Sequence, residues 1–468
     1  MRIEQFVLEG LGHLSTLIAD DDAGVAAVID PRRDVDVYLA AARARDLRIE
    51  LVVETHLHND YVSGARELAH LTGATHVIGA GADLRFEHRR VADGEAFDLG
   101  ALRFTTLATP GHTPEHVAYA IADRTRADEP VLLMTGGSLL VGAVGRTDLL
   151  GEAEAVPYAH AMHRTIHEVI LPHEDFVTVY PTHGAGSLCS TGIGSTPWTT
   201  IGFERRHNPL VQPMDVDAFA RALLRGQPAF PRYFARMRPT NQAGPRLLGE
   251  VVPAALPLPV AETQAALAQG AVLVDARNPA GFALGHVPGS ISIPTGSSFG
   301  TWLGWVVEPD RPVVLIVDDP ADLDDLVRQA LRVGYETIVG HLQGGFARWV
   351  EAGGPIESTG RLDVAELART VAAGDDRQPL VIDVQQASEY EEAHVPGALH
   401  LNAGSVPDRL SQLPAGRPIA VMCASGYRSS VAASLLRAGG FEDVSWVADG
   451  LSAWQAAGYP VERGAGTD

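Results

Sequence analysis

Cysteine is nearly missing from this chain. Only two occur in 468 residues, Cys189 and Cys423. Two thiols so far apart build no disulfide framework, and a reducing cytoplasm is the natural setting for such a chain. Positive charge is also scarce. Lys and Arg number 36 against 58 Asp and Glu, giving a formal net charge of −22 and a pI of about 5.2. That balance argues against nucleic acid or an anionic membrane as partner. Long apolar runs are lacking too. No run of about 18 uncharged apolar residues appears, so no membrane span is expected. The opening MRIEQFVLEGLGHLST is acidic early and has no apolar core, so it does not read as a signal peptide. The rest is ordinary for globular cores, 46% hydrophobic and 20% charged. The length suggests about three domains.

The second half repeats itself. LVDARNPAGFALGHVPGSISIP (273–294) resembles VIDVQQASEYEEAHVPGALHLN (381–402), with Asp275 matching Asp383 and His286 matching His394. HLQGGFARW (341–349) and VADGLSAW (447–454) extend the match to Trp349 and Trp454. A period of about 107 residues is a domain duplication, since solenoid repeats are much shorter. Each copy alternates β-branched runs with helical patterns, which predicts a small parallel α/β domain with its site at the C-terminal strand ends. In the second copy the predicted strands are PLVID (379–383), a short one after EYEEAHVPGA, PIAVM (418–422) and VSWVAD (444–449). Pro/Gly-rich stretches at 238–257 and 351–360 read as linkers. The expected domains are therefore 1–240, 250–357 and 361–463. In the first of these, strands are predicted at 24–30, 50–55, 75–79, 102–109, 130–136 and 176–184.

Cys423 opens the segment CASGYRSS, between the apolar run 418–422 and a helical pattern at 430–440. A thiol at a strand end, followed by a small-residue loop and a helix start, meets converging backbone N–H groups. Those donors and the helix dipole favour thiolate over thiol. Arg428 adds a fixed positive charge. A thiolate held in this way is a nucleophile and can carry sulfur as a persulfide. The loop has four residues between Cys423 and Arg428, which suits a sulfur atom better than the tetrahedral oxyanion of a phosphatase.

A second constellation lies in the first half. ELVVETHLHNDYVSG sets His56, His58 and Asp60 just past a buried strand, where alternate residues point the same way. His112 follows another strand in ATPGHTPEH, and His183 a third in VYPTHG. Five potential ligands at three strand ends point to a metal site. Lone histidines such as His70, His76 and His160 read as surface or packing residues.

THLHND, PGHTPEH and PTHG, in this order, resemble the metallo-β-lactamase fold, an αββα sandwich with metal at one edge. GRTDL (145–149) and HGAGSLC (183–189) resemble its persulfide dioxygenase branch, which includes members fused to rhodanese domains. The resemblance covers about the first 210 residues. It implies one Fe(II) per chain, with zinc as the alternative ion, held by His56, His112 and an aspartate. Here the sequence departs from the family. The aspartate's place in MTGGSLL is taken by Gly137, and Tyr61 ends a motif that in two-metal hydrolases ends in histidine. Asp60, His58 and His183 are the candidate replacements, while Asp148 in GRTD reads as structural. Gly137→Asp is expected to raise metal retention in an otherwise preserved pocket. Cys189 could take up sulfur near the metal or simply pack as a small buried residue.

The repeated units resemble rhodanese domains, through GHVPGS, AHVPGA and the CASGYR loop. The resemblance implies that Cys423 attacks sulfane sulfur, that the N–H groups of Ala424, Ser425, Gly426, Tyr427 and Ser429 cradle the persulfide, and that Arg428 holds the charged donor or acceptor. In the first copy Val317 stands at the cysteine position and Asp322 at the arginine position, which predicts a scaffold without a live site. The expected fold is α/β throughout. The expected function is hydrogen sulfide metabolism, with persulfide oxidation at iron joined to thiosulfate or persulfide sulfurtransferase chemistry at Cys423. The alternatives are a sulfurtransferase with a metal-poor first domain and a zinc thioester hydrolase resembling glyoxalase II. Expected partners are low-molecular-weight thiol persulfides, thiosulfate and sulfite, and a homo-oligomer is compatible with the sequence.

Overall fold

Two six-stranded sheets form in the N-terminal part of the chain because nearly every strand buries one face against the other sheet. The computed structural model describes residues 1–373, 378–414 and 416–464. Its first sheet runs Arg2–Leu8, His13–Asp20, Val25–Ile29, Arg48–Val53, Thr75–Gly79, Arg89–Val91 in spatial order. Its second runs Thr199–Thr200, Thr178–Pro181, Leu132–Gly136, Val117–Asp123, Leu102–Ala108, Ala96–Leu99. Ile18, Val53, Val77, Phe104, Tyr119, Ile121 and Met134 meet between the sheets in one buried cluster. The outer face of the first sheet packs on helices Asp36–Arg43 and Ala65–Thr72, with Tyr38 and Leu68 fully buried. The outer face of the second packs on Glu152–Arg164 and Val216–Leu224 through Met162 and Phe219. This is the four-layer sandwich the sequence led one to expect.

The six predicted strands of this half are present. Three longer ones were not foreseen: Arg2–Leu8, His13–Asp20 and Val117–Asp123. All three pair antiparallel with neighbours, Arg2–Leu8 with His13–Asp20 and Val117–Asp123 with Leu102–Ala108. The predicted linker at 238–257 needs correction as well. The compact N-terminal unit runs through Pro253, taking in also Leu331–Gly334. Helix Phe234–Ala243 crosses the start of the supposed linker with Pro239 inside it.

The two repeats together form one compact unit. Each holds a five-stranded sheet. The first is ordered Pro257–Leu258, Ile338–Leu342, Val313–Ile316, Val272–Asp275, Ile291–Ser292. The second is ordered Gly360–Leu362, Val444–Val447, Ile419–Met422, Leu380–Asp383, Leu399–His400, and all its pairings are parallel. Equivalent positions can be read from the register. Asp275 sits opposite Ile316, and Asp383 opposite Met422. The next residues, Val317 and Cys423, are therefore counterparts. The recurring histidines do the same job in both copies. His286 Nδ1 bonds the Phe282 carbonyl at 2.9 Å, and His394 Nδ1 the Tyr390 carbonyl at 2.7 Å, each ring stacked on the aromatic it bonds. Among the described residues no helix is long and apolar enough to cross a membrane.

Candidate metal centre and thiol loop

The N-terminal strand ends bring all five predicted ligands into one buried pocket. His56, His58, Asp60, His112 and His183 are each almost wholly buried. The rings of His56 and His58 are 4.2 Å apart, those of His56 and His112 5.0 Å, and those of His112 and His183 5.5 Å. Ligating atoms of His56, His58 and His183 lie within 4.8 Å of one another, as do those of His112, His183 and Cys189. Packing so many imidazoles together out of water penalises protonation. Burial lowers His56 and His116 well below the usual histidine range, and burial with His183 nearby takes His112 down to about 3. Neutral imidazole is the ligating form. His183 is the exception. Burial opposes its charge, but Cys189 and Asp60 beside it raise it well above an ordinary histidine.

The surrounding hydrogen bonds aim the rings. His56 Nδ1 bonds Thr55 Oγ1 at 2.8 Å, and that hydroxyl donates to Asp30 at 2.8 Å. His56 Nε2 is left buried with no hydrogen-bond partner among the described residues. His112 Nδ1 donates to the Arg146 carbonyl at 2.8 Å, which leaves its Nε2 bare. This is the arrangement that orients metal-ligating histidines. His58 Nε2 stands 3.3 Å from Asp30 and His183 Nδ1 3.3 Å from Asp60, in both cases out of hydrogen-bond alignment. So many unsatisfied buried donors and acceptors are costly without an ion to engage them. The donor set fits a metal.

Tyr61, which stands where the two-metal motif of the resemblance has a histidine, stacks on His58 at 4.4 Å and donates to the Asp30 carbonyl at 3.3 Å. Gly137 offers no bridging carboxylate. The expectation for Gly137→Asp must also be revised, because the pocket around it has closed. A Cβ there would stand 2.3 Å from His112 Cδ2, and that ring is buried and held by Arg146. Gly137→Asp should therefore destabilise the protein by about 1–3 kcal/mol through overpacking, with no gain in bound metal. Thermal melting and elemental analysis of the variant check this. A raised metal content would mean that His112 swings aside.

Three contributors were not foreseen. Helix Phe234–Ala243 braces both ligand loops. Asn241 Nδ2 donates to the carbonyls of His58 and Tyr61 at 3.0 Å each, and Asn241 Oδ1 accepts from Ser63 N–H at 2.9 Å. Arg238 makes a two-pronged pair with Glu115 at 2.9 and 2.8 Å, and Glu115 in turn accepts the Leu57 N–H at 3.0 Å. His13, from an unpredicted strand, forms an antiparallel backbone bridge with His183, and its ring lies 4.2 Å from that of Tyr61, tilted by 55°. In GRTD, Asp148 binds Arg146 at 2.6 and 2.7 Å, a structural role as the sequence suggested.

In the last repeat, Cys423 follows the strand Ile419–Met422, and the twelve-residue helix Tyr427–Ala438 begins four residues later. Its Sγ accepts the Gly426 N–H at 3.2 Å and lies 3.6 Å from Ser429 Oγ. Gly426 adopts φ 93°, and a Cβ there would meet the Ala448 carbonyl at 2.1 Å, so the turn requires glycine. Two expectations change. Among the described residues Gly426 supplies the backbone N–H that meets the sulfur, where the whole run from Ala424 and Ser425 through Tyr427 to Ser429 was expected to converge. Arg428 is committed to Glu389 at 2.5 and 2.8 Å, because a carboxylate on the neighbouring helix Ala387–Glu392 matches its fork. Cys423 itself is 0% exposed, its side chain turned into the loop. Tyr427 reaches across to the first repeat, donating to the Pro294 carbonyl at 3.3 Å.

The Metallo-beta-lactamase superfamily model matches residues 8–191, and the Rhodanese-like domain model matches 259–352 and 363–457. A persulfide dioxygenase ETHE1 from Bos taurus is 30% identical over 41% of this chain and 69% of its own length. This chain belongs to the metallo-β-lactamase superfamily and carries two rhodanese-like domains. Within that superfamily it is also similar to a hydroxyacylglutathione hydrolase from Dictyostelium discoideum, 30% identical over 38% of this chain and 65% of the relative. The chain thus spans slightly under two thirds of that relative. A crystal structure of a metallo-beta-lactamase from Staphylococcus aureus matches with a TM-score of 0.66 and 29% identity, covering 73% of this chain and 98% of that one.

Proposed function

We propose that this metallo-β-lactamase and rhodanese protein works in sulfane-sulfur metabolism, transferring sulfur through Cys423 and oxidising low-molecular-weight persulfides in its N-terminal pocket. The observation that carries the transfer is the Cys423 sulfur facing the Gly426 N–H at the start of a long helix. Thiolate attacks the outer sulfur of thiosulfate, the S–S bond breaks, and sulfite leaves with the electron pair. The resulting persulfide anion takes the place of the thiolate against the same amide. An acceptor thiolate or cyanide then removes the terminal sulfur and regenerates Cys423. Arg428, released from Glu389, is the cation within reach of the anionic donor. Val317 in the first repeat has no such chemistry, and the carboxylates of Asp318, Asp319 and Asp322 would repel an anion.

The N-terminal reading is supported by the buried histidine pocket and by relatives named persulfide dioxygenases. Iron, when bound, supplies dioxygen activation. The residues that would hold it come from His56, His58, His112 and His183. The protein's own part is to keep these imidazoles neutral, to fix His56 through Thr55 and Asp30, and to exclude water by burial. A hydrolytic activity like that of the relatives named hydroxyacylglutathione hydrolases fits less well, because Tyr61 stands in place of the histidine that ends the two-metal motif. The overall oxidation balances as RSSH + O₂ + H₂O → RSH + sulfite + 2H⁺. Purified full-length protein loaded with Fe(II) should consume oxygen and form sulfite from glutathione persulfide, with no turnover of S-lactoylglutathione. The reverse pattern would replace the oxidation reading with the hydrolytic one.

A further inference from the structure

We propose that Cys189 supplies, as thiolate, the anionic ligand that Gly137 lacks, so that a divalent transition-metal ion is held by His112, His183 and Cys189. This rests on the reading that the N-terminal pocket binds a metal. The ligating atoms of the three residues lie within 4.8 Å of one another and all three side chains are buried. The backbone of a single residue, Arg146, sets two of them. The Arg146 carbonyl accepts from His112 Nδ1, and the Arg146 N–H donates to the Cys189 carbonyl at 2.9 Å. The Arg146 side chain also binds the Leu188 carbonyl at 2.9 Å, and Ser187 Oγ accepts the Cys189 N–H at 3.2 Å. The cysteine is therefore fixed in register with the His112 ring. His183 Nδ1 faces the Asp60 carboxylate at 3.3 Å, which leaves Nε2 for the ion.

The charge requirement points the same way. A dication on neutral imidazoles alone keeps its full charge in a buried pocket, so an anionic ligand strengthens the site. The His112 ring fills the space where a side chain at 137 would stand, so no carboxylate can enter from there. On binding, the Cys189 thiol gives its proton to solvent and its sulfur bonds the ion, with no change of oxidation state. A thiolate with two imidazoles suits zinc or iron(II), and cobalt(II) reports on it.

The test loads the full-length apoprotein with cobalt(II). The wild type and Cys423→Ser should bind an equimolar amount and show the near-ultraviolet absorption of a thiolate-to-cobalt charge transfer. Cys189→Ser, and Cys189→Ala as a second variant, should lose that band while circular dichroism shows the fold intact. Equimolar cobalt without the band in the wild type, or a band that survives in both Cys189 variants, overturns the thiolate ligand and leaves the metal reading standing. No bound cobalt in the wild type overturns both.

Discussion

Thiocyanate formation from thiosulfate and cyanide should fall by at least roughly a thousand-fold when Cys423 is replaced by serine, a loss of about 4 kcal/mol of transition-state stabilisation. The substitution changes one buried atom. It leaves the Gly426 N–H, the Ser429 hydroxyl and the Arg428–Glu389 pair in place. What goes is the only atom in the loop able to attack sulfane sulfur and then hold it as an anion. Circular dichroism and bound metal should be unchanged. Retained activity would move the sulfur-carrying role to Cys189, the one other cysteine in the chain.

The second large effect is expected from His183→Ala. His183 is common to both groups of converging ligands, His56 with His58 and His112 with Cys189. The family resemblance, by contrast, uses His56 and His112 and leaves His183 aside. The variant should lose nearly all bound iron and with it oxygen uptake on glutathione persulfide. Thiosulfate–cyanide turnover through Cys423 should be retained, and that retained activity reports that the chain has folded. Full iron content in the variant would place the ion on His56 and His112 after all. Elemental analysis with an oxygen electrode distinguishes the two.

The parts of this molecule that were legible in the sequence are those whose chemistry is local. A strand followed at once by HLHND, or by CASGYR, states its own geometry, because the period of an extended chain and the start of a helix fix where side chains point. The duplication shows itself in the same way, and the strand register gives Val317 and Cys423 equivalent positions in the two copies. What escaped depends on partners distant in the chain. Nothing near Arg428 announces Glu389, 39 residues earlier, and nothing near His58 announces Asn241, 183 residues later. Pro239 and the glycines after it looked like a linker because those residues usually punctuate structure, yet tertiary bonds hold a helix there. At Gly137 the sequence shows a glycine where the resemblance expects an aspartate. The sequence could not show that a neighbouring imidazole covers the vacated space.

The helix Phe234–Ala243 lies well past residue 191, where the superfamily match stops. Its Asn241 and Arg238 nonetheless steady the two histidine-bearing loops from outside that boundary. The recognisable core is thus not a portable cassette. Grafted elsewhere without this late-coming strut, it would keep its signature motifs and lose the stiffness that makes them a trap for an ion.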